Sequence, residues 1–368
     1  MVRQGLGPGW QCAFANDYNI KKVATYRKNW GASEMVPGDI RKVEASSLPT
    51  ADLAWASFPC QDFSLAGAGA GLKGERSGTF YPFWKLITNL KQLGRAPRVV
   101  VLENVSGTLT SHGGKDFVAI CRALSDGGYR TGALVVDAAL FVPQSRPRLF
   151  LFAVSESVDV PESLTLDDPA SPFHIRSVKR AHAALPPDLA KSWIWWSLPK
   201  PCARAEDFID IIEEHPDSVR WHSPKETAQL LAMMSPINRA KVDETMKAGR
   251  RMVGGIYKRT RREKGRKVQR AEVRFDNLSG CLRTPAGGSS RQLIIMTDGE
   301  NIRSRLISSR ETARLMGLPD SYELPDAYNE AYHLTGDGVV VPVVRHLAKH
   351  LIEPLLDASI QSSRESAA

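Results

Sequence analysis

The sequence predicts an α/β fold in which helices cover both faces of a largely parallel sheet. Short apolar runs alternate with stretches of helical periodicity over residues 10–155, and this alternation is typical of a parallel sheet covered by helices. From about residue 156 the alternation stops, and proline and tryptophan become frequent. A chain of 368 residues is long enough for two hydrophobic cores. We therefore expect a covered sheet and a second, smaller, irregular domain.

The predicted elements follow one another in a regular order. Strands are expected at residues 11–16, 53–58, 98–103, 130–137 and 149–154, and helices at residues 18–29, 79–93 and 115–126. A helix returns at residues 308–316, with Ser309 as its N-cap, and another follows at residues 341–356. We therefore divide the chain into a first domain (residues 1–155), a second domain (156–302), helices that complete the first domain (303–358) and a flexible tail (359–368).

The composition restricts the classes of protein that the chain can belong to. The five cysteines are scattered without a CxxC pair, which argues against a zinc site or a disulfide framework and favours the reducing cytoplasm. No apolar run approaches the ~18 residues of a membrane-spanning helix. The net charge is +9, and residues 247–270 hold eleven Lys or Arg and one acid. With Gly254, Gly255 and Tyr257 in the same stretch, these residues predict a basic loop that contacts a polyanion.

A cysteine follows the second predicted strand directly. The run before it, residues 53–58, is apolar enough to be buried, and Pro59-Cys60-Gln61 comes next. In open α/β sheets the loops at the carboxyl ends of strands carry the chemistry. Cys60 is therefore a candidate nucleophile.

Three further motifs come after Cys60. They are Glu103-Asn104 at the end of an apolar run, Gln144-Ser145-Arg146-Pro147-Arg148 before the last predicted strand, and residues 310–320 followed by Gly336-Asp337-Gly338. In this order and spacing, the motifs resemble those of the DNA (cytosine-5)-methyltransferase family over residues 5–351. The insert at residues 156–300 lies where that family has its target-recognition domain. The resemblance implies a Rossmann-like methyltransferase sheet.

The resemblance also implies a mechanism. Cys60 would add to carbon 6 of a cytosine flipped out of the duplex, which makes carbon 5 nucleophilic. An unpaired Glu103 carboxylate would be costly at the end of a buried strand, so we expect it to be protonated or to share a proton with N3 of the base. Arg146 and Arg148 are two residues apart on a strand-like segment and should point the same way, toward the base carbonyl, the target phosphate and the thiolate.

The implied methyl donor is S-adenosylmethionine. Asp17 is expected to accept hydrogen bonds from its ribose, Tyr18 to stack on its adenine, and Asp39 to accept from the exocyclic amine. Ile40, Pro59 and Asp337 complete the predicted cofactor site, although the family usually has asparagine at the position of Asp337. The implied partner is double-stranded DNA, bound by a cytoplasmic, nucleoid-associated monomer. Its predicted contacts are Gln61, Ser64, Arg283, Thr284, Gly287, Gly288 and Arg291.

One segment of the family pattern has no counterpart in the sequence. The family begins with a strand and an F-x-G-x-G loop against the donor, whereas residues 1–7 read as the helix that follows this loop. We therefore expect residues upstream of Met1, and weak donor binding without them. The alternatives are a truncated, inactive DNA-binding remnant and an enzyme acting on transfer RNA. The enzyme would be either the modification half of a restriction pair, with a cognate endonuclease, or a solitary or prophage enzyme.

Overall fold

The computed structural model describes residues 1–58, 80–263, 265–284 and 291–365, with side chains as far as residue 359. The chain divides into two compact units. The first unit consists of Val2–Val136, Pro147–Lys200 and Val343–Ala368, and the second of Met1, Asp137–Arg146 and Pro201–Pro342. Residues 156–200, which the sequence analysis assigned to the second domain, therefore group with the first unit.

The first unit contains two parallel strand pairs. Strands β1 (Ala15–Asp17) and β2 (Met35–Pro37) form a parallel pair. Strands β3 (Leu53–Ser57), β4 (Val99–Val105), β5 (Tyr129–Asp137) and β6 (Pro147–Ser155) form a four-stranded sheet in the order β3-β4-β6-β5. Within the described residues no strand joins the two sheets.

The four-stranded sheet is mixed rather than largely parallel, which corrects the sequence-based prediction. β3 runs parallel to β4, whereas β6 runs antiparallel to it. The connection between β5 and β6 spans only residues 138–146, and a parallel crossover needs a dozen or more residues. The chain therefore turns back after β5.

Strand β4 lies between two neighbours and is the most buried part of this sheet. Its residues from Val99 to Leu102 are at most 2% exposed, as expected for a continuous apolar run. Helices α3 (Phe80–Gln92) and α4 (Lys115–Asp126) contribute Phe80, Trp84 and Phe117 to the same core. The bounds of α4 are those that the sequence predicts.

The remaining elements of the first unit are short, apart from the C-terminal helix. They are α1 (Val2–Leu6), α2 (Ile20–Trp30), β7 (Thr165–Leu166), α5 (Arg176–Ala183), α6 (Pro187–Lys191) and β8 (Trp195–Trp196). The C-terminal helix runs through α11 (Val341–Leu347), a π-helical segment (Ala348–Ile352) and α12 (Glu353–Glu365), so it is longer than predicted. None of the helices in the described ranges has the length and apolar character needed to cross a membrane.

The second unit is regular, which corrects the expectation of an irregular domain. Strands β9 (Met252–Glu263), β10 (Arg266–Arg274), β11 (Leu293–Asp298) and β12 (Asn301–Leu306) form an antiparallel sheet in the order β10-β9-β11-β12. Helices α7 (Pro224–Ala232), α8 (Pro236–Lys247), α9 (Ser309–Arg314) and α10 (Tyr328–Asp337) complete the unit. The N-cap of α9 is Ser308 and not Ser309.

The predicted basic loop is a β-hairpin made by β9 and β10. Gly254 and Gly255 lie inside β9 and are buried. A Cβ atom at Gly254 would lie 2.7 Å from the ring of Phe275, and one at Gly255 would lie 3.1 Å from the side chain of Gln292. These buried glycines therefore allow close packing of Phe275 and Gln292 within the unit.

Candidate active site

The parallel pairing of β3 and β4 brings the chain leading to Cys60 beside Glu103. Ser57, the last residue of β3, lies opposite Glu103 in the register of the two strands. The next residue, Phe58, is buried against Phe80, and its carbonyl accepts a hydrogen bond of 3.1 Å from Nδ2 of Asn104. Asn104 thus holds the end of the neighbouring strand, while its Oδ1 accepts a hydrogen bond of 2.8 Å from the N–H of Val105. Pro59, Cys60, Gln61 and Ser64 lie outside the described residues, so their assigned roles stay predictions.

Glu103 forms an ion pair with Arg148. The Nε atom of Arg148 lies 3.3 Å from Oε1 of Glu103, and the two side chains are 16% and 7% exposed. The pairing follows from the sheet, because β6 sets Arg148 opposite Val105, two residues beyond Glu103. That Glu103 is protonated or shares a proton with N3 of the base stays a prediction. The Arg148 guanidinium lies beside the buried carboxyl, and its removal would leave the carboxyl without this partner.

Arg146 makes a different set of contacts from Arg148. Its guanidinium is buried and donates hydrogen bonds to the carbonyls of Leu282 (2.8 Å), Gly336 (2.8 Å) and Gly338 (2.7 Å). Arg146 precedes the first residue of β6, so the strand alternation that would orient it like Arg148 does not extend to it. The boundary between the two units also falls directly after Arg146.

The segment that carries the predicted DNA contacts is anchored before residue 285. Oε1 of Gln144 accepts a hydrogen bond of 3.0 Å from the backbone N–H of Leu282, while Nε2 of Gln144 donates to the carbonyl of Leu315 at 2.8 Å. The hydroxyl of Tyr257 donates to the carbonyl of Cys281 at 2.6 Å. Arg283 and Thr284 follow and are exposed.

The same segment is anchored again after residue 290. The N–H of Gln292 donates to the hydroxyl of Tyr332 at 3.0 Å, and Oε1 of Gln292 lies 2.5 Å from the hydroxyl of Tyr257. Burial raises the pKa of Tyr257 well above its ordinary value, so this hydroxyl stays protonated. The sequence motifs include Gln144 and the basic stretch includes Tyr257, but neither was assigned this anchoring role, and Tyr332 was not singled out. Only Gln144, which lies beside Arg146, gave a local signal.

The predicted contacts of this segment differ in their surroundings. The hydroxyl of Thr284 donates a hydrogen bond to the carboxylate of Asp337, which the sequence analysis assigned to the cofactor. Arg291 is half-buried, with its guanidinium carbon 5.9 Å from the centre of the Tyr328 ring. Gly287 and Gly288 lie outside the described ranges, so their predicted contacts stay predictions.

The predicted cofactor residues of the first unit lie where β1 and β2 end. The N–H of Gly38 donates to the carbonyl of Asp17 at 3.0 Å, which joins Asp17 and Tyr18 to the turn that carries Asp39 and Ile40. The side chain of Tyr18 is 72% exposed. One Asp17 carboxylate oxygen accepts a hydrogen bond of 2.8 Å from the N–H of Asn19.

Asp39 already has a cationic partner in this turn. Arg41 donates from its Nε to Oδ2 of Asp39 at 2.8 Å, and its backbone N–H donates to Oδ1 at 2.9 Å. These hydrogen bonds lower the pKa of Asp39, so it remains a carboxylate. The pair is exposed to solvent, and exposed ion pairs contribute little to stability. Exchange of Arg41 for another donor therefore costs little.

Comparison with known proteins gives a consistent family. A model of the family described as C-5 cytosine-specific DNA methylase matches residues 4–353. The type II methyltransferase M.NlaX of Neisseria lactamica is 27% identical over 343 residues, which cover 93% of this chain and 88% of that protein. The type II methyltransferase M.MspI of Moraxella sp is 26% identical over 362 residues, covering 97% of this chain and 69% of that protein.

A solved structure supports the fold independently. The Dnmt2 methyltransferase of S. pombe matches with a TM-score of 0.56 at 19% sequence identity, covering 94% of this chain and 92% of that one. At this level of identity the likeness concerns the fold alone. It confirms the predicted α/β, Rossmann-like class.

Proposed function

The chain belongs to the C-5 cytosine-specific DNA methylase family, and from this premise we propose that it methylates carbon 5 of cytosine in a specific double-stranded DNA sequence. Cytosine is barely nucleophilic at carbon 5. In the proposed reaction the Cys60 thiolate bonds to carbon 6, which raises the electron density at carbon 5. Carbon 5 then takes the methyl group of the donor as the methyl–sulfonium bond breaks, which turns the donor into a neutral thioether. Loss of the carbon 5 proton to a base then breaks the bond between carbon 6 and the Cys60 sulfur and restores the ring.

The observation that carries this proposal is the site at the ends of β3 and β4. Ser57 lies beside Glu103, and Arg148 lies 3.3 Å from the Glu103 carboxylate. Glu103 would share a proton with N3 of the flipped base and draw electron density from the ring. Arg148 compensates the carboxylate in the free enzyme and would face the base carbonyl during the reaction. A buried acid paired with a cation, opposite Ser57 and so beside the strand end that precedes Cys60 by three residues, suits this division of roles.

The residues at the ends of β1 and β2 fit S-adenosylmethionine. The exposed ring of Tyr18 offers a stacking surface for adenine, while Asp17 and Asp39 offer carboxylate oxygens to ribose hydroxyls and to the exocyclic amine. Ile40 would add apolar contact to the same ring. When bound, S-adenosylmethionine supplies an electrophilic methyl group. Pro59 and Asp337 remain predicted members of the site.

Contacts with the DNA backbone would come from the anchored segment of the second unit. Arg283 and Thr284 are exposed on one side of residues 285–290, and Arg291 follows on the other. Arg283 and Arg291 lie directly beside the anchored residues Leu282 and Gln292, so they can contact phosphates with little further ordering of their own backbone. Arg146 would act indirectly here, because it holds the carbonyl of Leu282 and thereby the start of the segment.

The names of the relatives also favour a biological role. M.NlaX and M.MspI are both named type II methyltransferases. We therefore propose that the chain is the modification enzyme of a restriction pair, with a cognate endonuclease as its functional partner. Its monomeric state and its location at the nucleoid are proposals on the same basis.

The proposal is tested by methyl transfer from radiolabelled S-adenosylmethionine to duplex DNA, with transfer RNA as the competing substrate. We expect incorporation into DNA alone, and none with the Cys60→Ser variant. Glu103→Gln should lower kcat by about 10²–10⁴-fold, because a proton donor to the ring is lost. Glu300→Gln, on the exposed turn between β11 and β12, is the matched control and should leave kcat unchanged.

A covalent trap tests the nucleophile separately. Duplex DNA containing 5-fluorocytosine cannot lose a proton from carbon 5, so the adduct should accumulate and survive denaturing electrophoresis. A trapped complex with Cys60→Ser would overturn the assigned nucleophile. Binding of DNA without transfer by the unmodified chain would favour the inactive remnant instead.

A further inference from the structure

The hairpin of the second unit extends beyond the sheet to which it belongs. β9 pairs with β11 only over Met252–Ile256, whereas it pairs with β10 as far as Glu263. Residues 258–270, which we call the ribbon, therefore have only each other as strand partners within the described part of the chain. The free part of β9 is about 17 Å long at 3.3 Å per residue. A two-stranded hairpin is only marginally stable in water by itself, so a free ribbon calls for an explanation.

One face of the ribbon carries internal ion pairs, which involve three of its four arginines, while the fourth, Arg266, lies opposite Glu263. Arg259 and Arg261 both contact Glu272, at 3.5 Å and 2.5 Å. On the same face the Nε atom of Arg270 lies 2.7 Å from Oε1 of Glu263. Glu272 thus pairs with two arginines and Glu263 with one. We call this side the paired face.

The opposite face carries cations without acids. The register sets Arg262 opposite Lys267 and Thr260 opposite Gln269, with Lys258 next along β9. Strand alternation puts these five side chains on one side, which we call the open face. Among the described residues, none of its three cations forms an ion pair with a carboxylate. The cations flank a central pair of uncharged hydrogen-bonding side chains.

The open face is a continuation of the core-facing side of the sheet. At the end of the hairpin that pairs with β11, the same side carries Ile256, Ala271 and Val273. These residues are buried in a core that includes Leu230 of α7 and Val242 of α8. The pattern changes from apolar to cationic at Lys258, which is half-buried, and Thr260 and Arg262 beyond it are exposed. One side of a single hairpin is thus apolar where it packs in the core of the second unit and basic where its side chains are exposed.

We infer that the open face of the ribbon enters the major groove of the DNA substrate and reads part of the recognised sequence. Lys258, Arg262 and Lys267 would contact phosphates, while Gln269 and Thr260 would contact base edges. The major groove admits a two-stranded β-ribbon, and a glutamine amide can bond to adenine through two hydrogen bonds. This inference rests on the proposed function, since it takes duplex DNA as the substrate.

A solvated hairpin is the competing explanation. Exposed strand edges are commonly protected by lysine and arginine, which prevent aggregation. Protection against aggregation requires charged side chains but no particular arrangement of them on the two faces. The ribbon instead has one face without acids and one with internal ion pairs, and two polar side chains lie opposite each other at the centre of the acid-free face. Cations around such a polar pair suit phosphate contacts that position the ribbon and base contacts that read sequence.

The first experiment measures how DNA affinity depends on salt. In the variant Lys258→Gln/Arg262→Gln/Lys267→Gln, the slope of log affinity against log salt should become shallower by about 2–3, because each lost phosphate contact removes about 0.9. The control Lys28→Gln/Lys85→Gln/Lys191→Gln removes the same charge from exposed positions of α2, α3 and α6 and should leave the slope unchanged. Equal slopes for both variants would overturn the phosphate contacts.

The second experiment maps methylated cytosines in DNA from cells that express each variant. Thr260→Ala/Gln269→Ala should accept other bases at one or two positions of the recognised sequence, with discrimination there falling roughly 5- to 150-fold. The triple cation variant should keep the sequence pattern and lower only its extent. An unchanged pattern in the Thr260/Gln269 variant would overturn base reading by the ribbon.

The two levels of inference fail in different ways. If the unmodified chain methylates no DNA, the proposed function fails whatever the ribbon does. If it methylates DNA and the ribbon variants keep its pattern and salt slope, the ribbon is a solvated edge and only the present inference is lost. Residual methylation by each variant, together with its circular dichroism, verifies that it is folded.

Discussion

At the scale of single residues, two arginines of the same motif have different tasks. Arg148 lies inside β6 and pairs with Glu103, whereas Arg146 precedes the strand and donates to the carbonyls of residues 282, 336 and 338. A planar guanidinium with several donors can satisfy three carbonyls at once. The structure therefore makes Arg146 a positioning residue for the segment that starts at Leu282.

Replacement of Arg146 should destabilise the protein through these carbonyls. Arg146→Met keeps much of the volume but leaves three buried acceptors without their donor, so we expect the free energy of unfolding to fall by about 2–4 kcal/mol. Arg283→Met, at an exposed position nearby, should change it by no more than about 0.5 kcal/mol. Urea denaturation followed by circular dichroism makes the comparison, and similar midpoints for both variants would contradict it.

A buried histidine makes stability depend on pH. His174 is 1% exposed, lies 4.8 Å from the ring of Trp195, and has no hydrogen-bond partner for either ring nitrogen in the described structure. Burial lowers the pKa of His174 to about 4, against about 6.5 in the unfolded chain. Below pH 6.5 the unfolded state takes up a proton that the folded state does not. Stability from this group is therefore complete above that pH and is lost as the pH falls toward 4.

The pH effect can be measured on one variant. The unfolding free energy of the unmodified chain should fall between pH 7.5 and pH 5.0. His174 should contribute at most about 1.4 kcal/mol to this fall for each pH unit below 6.5. In His174→Phe, which keeps an aromatic ring against Trp195, the fall should be smaller. An equal fall in both proteins, from denaturation midpoints at the two pH values, would assign the effect to other groups.

At the scale of elements, the sequence located strands and helices over residues 10–155 but none of the four strands of the second unit. The run at residues 247–270 read as a basic loop because it contains adjacent glycines, but inside β9 Gly254 makes room for Phe275 and Gly255 for Gln292. β2 escaped prediction because three residues ending in proline carry no periodic signal. The start of α9 was assigned one residue late, because two serines in succession are both acceptable N-caps.

The two serines allow a direct test of which one caps α9. The hydroxyl of Ser308 accepts a hydrogen bond of 3.1 Å from the N–H of Glu311, and the N–H of Ser308 donates to Oε2 of Glu311 at 2.7 Å. Ser308→Ala should therefore cost about 1–2 kcal/mol of stability. Ser309→Ala should be nearly neutral, because the buried hydroxyl of Ser309 has no partner in the described structure. Thermal denaturation of the two variants decides, and a larger loss for Ser309→Ala would contradict the observed cap.

At the scale of the whole molecule, stability should be unevenly distributed. β4 has strands on both sides, and six of its seven residues are buried. β1 and β2 pair over three residues only and are half-buried or exposed, apart from Met35. Backbone hydrogen bonds break least often where they are buried and where the strand has a neighbouring strand on each side.

Hydrogen–deuterium exchange should reproduce this order. We expect peptides from Val99–Val105 to exchange slowest, and those from Ala15–Asp17 and Met35–Pro37 to exchange among the fastest of the strand peptides, because their hydrogen bonds are nearest to solvent. Mass spectrometry of peptic fragments provides the measurement. Slow exchange at β1 and β2 would mean that this pair is covered more than its exposure indicates.

The sequence by itself determined the α/β class, the family and the four motifs, because periodicity and motif spacing are properties of neighbouring residues. It also located Glu103 at the end of a buried strand. The tertiary structure alone decided that Arg148 pairs with this acid, that Arg146 does not share its orientation, and that the basic stretch is a ribbon with two unlike faces. These features depend on partners far apart in the chain: Arg146 and Gly336 are separated by 190 positions, and Gln144 and Leu315 by 171. No local pattern encodes such contacts, since they exist only after the strands have paired and the helices have packed.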